Sequence, residues 1–473
     1  MTFNAGGYPF AVLAHFSFVF AGLLIYAVGT HLSGQRRHPS AALAWVLTIA
    51  LLPYVGLPLY LVLGTRKFVR PPQQVLLTAR HPANGTLQES AMATLEGMGL
   101  AAPAANRSIR FHRDGQAAWK EFEQLARSTA SQLDICTFVL GDDTLGHQLA
   151  QLLQGRAAAG VRVRLLLDAL GSWRTPATQV RALRDAGVQV RWHMPLLRNL
   201  LSGKGNLRNH RKLTIADGQR LWTGGRNLAA EYFTGDGHSI PWTDLSFTIE
   251  GPLAAQAQAL FDSHWGYSYG PTIAEKQAPQ LQTLPGSDPA QGMVTQHLAQ
   301  MIPSGPDQGQ DTFYGLMLTA LFRAEKSVVA VTPYFVPDDA LLTALCLAAR
   351  RGVRVELVVP ARSNHRLADL ARARALRDLA AAGGQIRLAA GMVHAKTVVI
   401  DDAIALCGSL NLDSRSLFLN FELMVAFYDA GDIAAVNRWI AENFGHLESF
   451  APHQASLTSD VAEGLVRWLG FQI

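Results

Sequence analysis

The first 64 positions are apolar almost without interruption. Ala11–Thr30 and Ala41–Gly64 form runs of 20 and 24 residues, each long enough to cross a hydrocarbon core of about 30 Å as a helix. Residues 1–64 contain no Asp or Glu, and Arg36 and Arg37 are their only Lys or Arg. Pro53 and Pro58 interrupt the second run, a placement that membrane helices tolerate better than soluble ones. Met1–Phe10 carries no basic residue and no small-residue cleavage site follows, which argues against a removed signal peptide. The pattern predicts a membrane anchor over 1–70 with two transmembrane helices, at about 11–30 and 41–64. Arg66, Lys67, Arg70 and Arg80 follow the second run, against two cations in the loop between the runs. That bias places both termini on the cytoplasmic side of a multi-pass protein of the inner membrane.

After a connector at 71–105 the period changes to short strand-like and helix-like segments, and the segments repeat. Ile135–Asp143 resembles Val329–Asp339, each an apolar run closing on paired aspartates suited to capping a helix. Leu145, Leu149, Leu152 and Leu153 keep helical spacing in the first copy, as Leu341, Leu342 and Leu345 do in the second. Gly160 and Gly352 end those helices and lead into Val161–Leu167 and Val353–Val359, which read as strands. Ala-Leu-Arg-Asp recurs at Ala182–Asp185 and Ala375–Asp378, on a second helix. Strand, helix, strand, helix in both copies predicts two tandem α/β domains related by duplication, over 106–270 and 292–473. The Pro-, Gln-, Gly- and Ser-rich stretch 271–291 reads as their linker.

Composition narrows the partners. Charged residues are 16% of 473, mean hydropathy is +0.11 and the formal net charge is +5. A small basic surplus suits phosphate-bearing partners, lipid or nucleic acid. Cys136, Cys346 and Cys407 lie far apart in apolar runs, which predicts free buried thiols, no disulfide framework and no structural metal.

The strongest signal is a constellation found once in each half. His210 and Lys212 are followed by Asp217, Gly224, Gly225 and Asn227; His394 and Lys396 by Asp401, Gly408, Ser409 and Asn411. A six-position pattern of this kind arises by chance at on the order of 10⁻⁸ per starting position. His and Lys two apart on a strand share one face. The glycines let backbone approach a bulky anion, the asparagine amide can donate to a phosphoryl oxygen, and the lysine supplies a compact positive charge. One half-site therefore holds a nucleophile and an anion clamp; two facing half-sites add an acid for the leaving group. Asp217 and Asp401 complete the motif, although a role in fixing the turn and the strand ends suits them better.

Asp244 and Glu422 stand 34 and 28 residues after the histidines, each before a strand-like run. A carboxylate that holds one imidazole nitrogen leaves the other free to act, and Asp244 and Glu422 are expected to orient the histidines. Arg198, Lys204, Arg208 and Arg211 crowd the approach to His210, as a headgroup-binding face or a solvated one. His15, His112, His147, His193, His238 and His365 have no repeated context and read as packing, surface or membrane-interface residues. A closing helix at Val461–Leu469 rests on a bilayer or on the second domain.

The paired His-Lys-Asp motifs resemble those of the phospholipase D superfamily. Within it the chain is similar to the membrane-anchored bacterial cardiolipin synthases. That likeness is carried by Pro39–Leu47, Arg208–Leu213, Thr223–Ala229, Thr332–Asp338 and Gly408–Ser416. It implies that His210 attacks the phosphorus of phosphatidylglycerol, that His394 protonates the departing glycerol, and that a second phosphatidylglycerol takes the phosphatidyl group from the histidine. Lys212, Lys396, Asn227 and Asn411 would steady the equatorial oxygens, and Gly224, Gly225, Gly408 and Ser409 would lie against the substrate, with no metal or other cofactor. The partners it implies are phosphatidylglycerol and other anionic phospholipids. Hydrolysis, or transfer to another alcohol, uses the same motif and stays open at this level, as do oligomeric state and which histidine attacks. Nucleases share the motif too, but they have no use for a membrane anchor, and no strongly basic surface with interleaved aromatics is present.

Overall fold

The structure is a computed structural model and describes residues 8–32, 39–67, 85–195, 204–235, 240–268, 297–447, 449–450 and 463. The expected linker at 271–291, most of the closing helix, Arg198 and His238 lie outside these residues.

The anchor differs from the expectation in its second half. Helix α1 spans Tyr8–Leu32, and its Val12–Thr30 stretch is long and apolar enough to cross a membrane. Only 6% of that window is buried, which sets it apart from a core helix of a soluble domain. The second run is two short helices, α2 (Pro39–Leu51) and α3 (Pro53–Leu63), of 13 and 11 residues. Neither is long enough by itself to cross about 30 Å. Pro53 removes an amide donor and forces Leu52 out of helical geometry (φ −130°, ψ 59°), so the helix ends there. Gly56 then packs onto the end of α2, where a Cβ would stand 2.6 Å from the Thr48 carbonyl oxygen. Pro53 thus begins a new helix and bends the chain, so among the described residues one helix, not two, is long enough to cross a membrane. Helix α1 lies against this bend through Gly22, beside Ile49 and Leu57, and through Tyr26, whose ring meets that of Tyr60.

Two mixed sheets follow, built on the same plan. In spatial order the first comprises Ser108–His112, Ser246–Glu250, Arg220–Gly224, Leu213–Ala216, Gln132–Thr137, Arg162–Asp168 and Gln189–His193. The second comprises His297–Ser304, Glu422–Phe427, Ile404–Gly408, Thr397–Ile400, Ser327–Val331, Arg354–Pro360 and Gln385–Ala389, with Ala104–Asn106 added at its edge. In each, three strands run parallel through helical crossovers and the rest pair antiparallel. The repeat read from sequence lies on equivalent elements. Asp143 and Asp338 cap the first crossover helices by accepting from the Gly146 and Leu341 amides, and Gly160 and Gly352 end them at φ +86° and +93°. The segment expected to be a mere connector behaves otherwise. Leu87–Gly97 buries Ala91 and Leu95 in the second domain's core, and Ala104–Asn106 joins its sheet.

The halves share one apolar cluster. Phe247, Leu213 and Leu221 from the first sheet pack with Val399, Cys407 and Phe427 from the second. This joint brings the ends of the two sheets together. Cys136, Cys346 and Cys407 are buried and free.

Candidate active site

His210 and Lys212 stand at the entry to strand Leu213–Ala216, and His394 and Lys396 at the entry to Thr397–Ile400. These strands occupy the same position in their sheets. Main-chain bonds then tie each entry to the opposite half. The amide of His210 donates to the Phe421 carbonyl at 2.9 Å, and that of Phe421 to Arg208 at 2.9 Å. The amide of His394 donates to the Thr243 carbonyl at 2.7 Å, and that of Thr243 to Met392 at 3.0 Å.

Glu422 and Asp244 are the residues directly after Phe421 and Thr243, so this cross-pairing decides which imidazole each carboxylate meets. His210 Nδ1 lies 2.9 and 3.0 Å from the two oxygens of Glu422, and His394 Nδ1 lies 2.6 Å from Asp244 Oδ2. Each histidine is thus held by an acid of the other domain. The spacings of 34 and 28 residues along the chain do not say which acid meets which ring, because counting along the chain carries no information about contacts between domains. Glu422 also accepts from Ser409 Oγ at 2.5 Å and Asn420 Nδ2 at 3.3 Å.

Both histidines line a single cavity of about 330 Å³, together with Asn227 and Asn411. Phe138 meets the His210 ring edge-on at 5.1 Å between centroids. Tyr232 and Trp242 flank His394 at 4.9 and 5.6 Å. The lysines are buried next to the histidines. Lys212 Nζ donates to the His210 carbonyl at 2.7 Å, while Lys396 Nζ lies 2.8 and 2.9 Å from the His394 ring nitrogens. Burial, opposed by Glu422, lowers Lys212 to about 7; burial, opposed by Asp244, lowers Lys396 to about 8. Burial brings His210 to about 4 against the pull of Glu422, and burial with Lys396 brings His394 to about 3 against Asp244. Burial alone would push both carboxyls up, but their histidine and lysine partners hold Glu422 and Asp244 below the usual range. The resting site therefore offers two neutral imidazoles beside two buried lysines that are charged below about pH 7 and 8. Such a site favours an entering anion, whose charge in turn favours protonating one imidazole.

The other motif residues act at one remove. Gly224 packs on the Leu245 carbonyl at φ +139°, and a Cβ there would stand 2.3 Å from that oxygen. Gly225 abuts Asp244, with 2.2 Å between a built Cβ and Oδ1, and Gly408 abuts the Leu423 carbonyl at 2.1 Å. None of Gly224, Gly225, Gly408 and Ser409 is among the cavity-lining residues; they make room for the acids and hold them, which corrects their expected place against the substrate. Asp217 and Asp401 are likewise away from the cavity. The Asp217 carboxylate accepts from the amides of Ala130, Ser131 and Gln132, and that of Asp401 from Glu325, Lys326 and Ser327. Both take left-handed backbone at φ 54°. They fix the start of the neighbouring strand, so the grouping of these two aspartates with the catalytic residues is corrected to a turn-fixing position.

Asn227 Nδ2 donates to Tyr232 Oη at 2.8 Å and Asn411 Nδ2 to Ser416 Oγ at 3.2 Å. Each amide keeps a buried Oδ1 without a partner, which leaves hydrogen-bonding capacity for a ligand. The partners stand five residues after the asparagine in both halves, a repeated offset that sequence reading could have used. His365, read as surface or packing, lines the cavity beside Tyr334. Arg208 and Arg211 are buried rather than spread as a headgroup-binding face.

Comparison with known proteins gives the family. A family model described as "Cardiolipin synthase, PLD-like domain" matches residues 122–265 and 317–447, and one described as "Phospholipase D-nuclease N-terminal" matches 22–64. Cardiolipin synthase A of Pseudomonas entomophila (strain L48) is 32% identical over 86% of this chain and 87% of its own length. Cardiolipin synthase A of Pseudomonas fluorescens (strain Pf-5) is 32% identical over 96% of this chain and 94% of its own. The crystal structure of phosphatidylserine synthase from Haemophilus influenzae superposes over 81% of this chain and all of that one, with a TM-score of 0.61 at 13% identity, a likeness of fold. A duplicated sheet, two histidines on one cavity with a buried lysine next to each, and matched relatives over nearly the whole length lead to one assignment: the chain belongs to the bacterial cardiolipin synthases of the phospholipase D superfamily.

Proposed function

We propose that the protein is a phosphatidyltransferase that converts two molecules of phosphatidylglycerol to cardiolipin and glycerol. The observation that carries this is the single cavity between the domains, lined by His210 and His394, with Lys212 and Lys396 buried next to them. His210 Nε2 attacks phosphorus while the bond to the glycerol oxygen breaks, and His394 gives that oxygen its proton. The phosphatidyl group then rests on His210. His394, now neutral, takes the proton of a hydroxyl on the second phosphatidylglycerol, whose oxygen attacks phosphorus and releases His210. Lys212 and Lys396 balance the charge on the equatorial oxygens. Glu422 and Asp244 keep Nδ1 of each ring occupied, so that Nε2 faces the chemistry.

Helix α1 crosses the inner membrane in this reading and the bent pair α2–α3 does not, so the catalytic domains lie on the cytoplasmic side and the start of α1 on the other, unlike the arrangement expected from two crossings. An anchor makes lipid the expected acceptor, since donor and acceptor then share one surface. Purified enzyme given labelled phosphatidylglycerol alone should yield cardiolipin and free glycerol in equal amounts. Phosphatidic acid as the sole lipid product would show hydrolysis instead.

A further inference from the structure

The chain leaving the anchor touches the loop beside the active site. Residues 64–67 follow α3 and run onto Gly305–Asp311, between strand His297–Ser304 and helix Thr312–Arg323. Lys67 Nζ donates to the carbonyl oxygens of Gly305, Gln308 and Gln310 at 3.1, 2.9 and 3.2 Å, and lies 3.1 Å from Asp311. Three carbonyl dipoles converging on one point repel each other unless a cation sits among them, and the ammonium supplies it. Arg66 meets the same Asp311 at 2.6 Å and covers the Phe418 ring.

The loop so closed carries Asp307. Its carboxylate holds Arg211 through two bonds, of 2.8 and 3.0 Å, and also meets His264 at 3.1 Å. Arg211, between His210 and Lys212 in sequence, points away from the cavity. Its Nε donates to the Glu422 main-chain oxygen at 2.8 Å and its Nη2 to the Ser304 carbonyl at 3.1 Å. Gly305 presses on the same stretch, where a Cβ would stand 2.7 Å from the Asn420 carbonyl. An unbroken series of polar contacts thus runs from Lys67 through the loop, Asp307 and Arg211 to Glu422, which holds His210.

We propose that Lys67 is a positioning residue for phosphatidyl transfer. By filling the carbonyl ring of the 305–311 loop, it sets Asp307 and Arg211 and so fixes Glu422 beneath His210. The anchor then takes part in catalysis as well as tethering, a statement that rests on the cavity being the transferase site.

The test uses full-length protein in mixed micelles of detergent and phosphatidylglycerol, where tethering does not limit encounter. Lys67→Gln should lower kcat about tenfold or more with KM within about twofold, and Lys67→Arg should recover most of the loss. Arg66→Gln removes a neighbouring charge but leaves the ring filled, and should lower kcat by less than about threefold. Asp307→Asn should also lower kcat, and the double variant Lys67→Gln/Asp307→Asn should fall no further than the worse single one, as for residues acting in series. The proposal is overturned by losses that multiply, by equal losses in Arg66→Gln and Lys67→Gln, or by a raised KM with kcat intact. Thermal melts of each variant in the same detergent normalise rates to folded protein. Wild-type protein that makes no cardiolipin would sink the assigned reaction, whereas an active wild type with an unaltered Lys67→Gln variant would sink this inference alone.

Discussion

Lys212 and Lys396 are lysines whose surroundings make them sensitive near neutral pH. Burial lowers them to about 7 and about 8, so in the empty enzyme they lose their protons as pH rises through that range. The phosphate clamp is charged below it and neutral above it. We expect kcat/KM for phosphatidylglycerol to fall on an alkaline limb beginning between pH 7 and 8. The limb in kcat should lie higher, because a bound phosphodiester anion favours the ammonium form. A kcat/KM profile flat through pH 9.5 would contradict the placement of the lysines. Asp217 is a different kind of residue. Burial acts to raise it, but the amides of Ala130, Gln132 and Ser131 bring it down to about 2. Its contribution to stability is present above its ordinary value of 3.8 and is lost as pH falls through about 2. Asp217→Ala should destabilise the fold by about 1–3 kcal/mol, measured by chemical or thermal unfolding, with activity per folded molecule kept within about tenfold. Loss as complete as that of His210→Ala would return it to the chemistry. The motif showed that this aspartate matters but not how, since a spacing pattern cannot separate a residue that touches substrate from one that fixes a turn.

At the scale of elements, the duplicated strand–helix–strand units and their caps were legible because each rests on local chemistry: apolar period, capping aspartate, terminal glycine. The break at Leu52–Pro53 was legible in principle, since Pro53 stands in the run, but hydropathy alone does not separate a long helix from a bent pair. The cross-pairing of Glu422 with His210 and Asp244 with His394 was not legible at all. It arises where Phe421 and Thr243 lend main-chain groups to the opposite half, contacts that join residues 211–213 and 149–151 positions apart. The glycines of the motif belong to this level too, as spacers between a strand end and an acid. Gly225→Ala would bring a Cβ to 2.2 Å from Asp244 Oδ1 and push that carboxylate from His394. We expect kcat to fall on the order of 10²-fold, as for the loss of one oriented catalytic group, with the fold retained by circular dichroism. Unchanged kcat would show that Asp244 is not held by that glycine.

At the scale of the whole molecule, duplication supplies the site and the shared apolar cluster closes it. Neither half is complete alone: each brings an imidazole and an asparagine to the cavity with a buried lysine close behind the imidazole, and each borrows the carboxylate that orients its histidine. The near-symmetric halves leave the attacking ring undecided by sequence, and the structure gives both rings the same kind of support. Our account gives the attack to His210 and both proton transfers to His394, so the intermediate should accumulate without His394 when the donor's leaving group departs without needing a proton. The most direct measurement is to quench His394→Ala enzyme after brief exposure to a phosphorus-labelled phosphatidyl-p-nitrophenol, whose leaving group needs no proton, and to map the label by peptide mass spectrometry. The account predicts an acid-labile phosphatidyl group on His210 and none in a His210→Ala control. Label on another residue, or cardiolipin formed at the wild-type rate without His394, would contradict it.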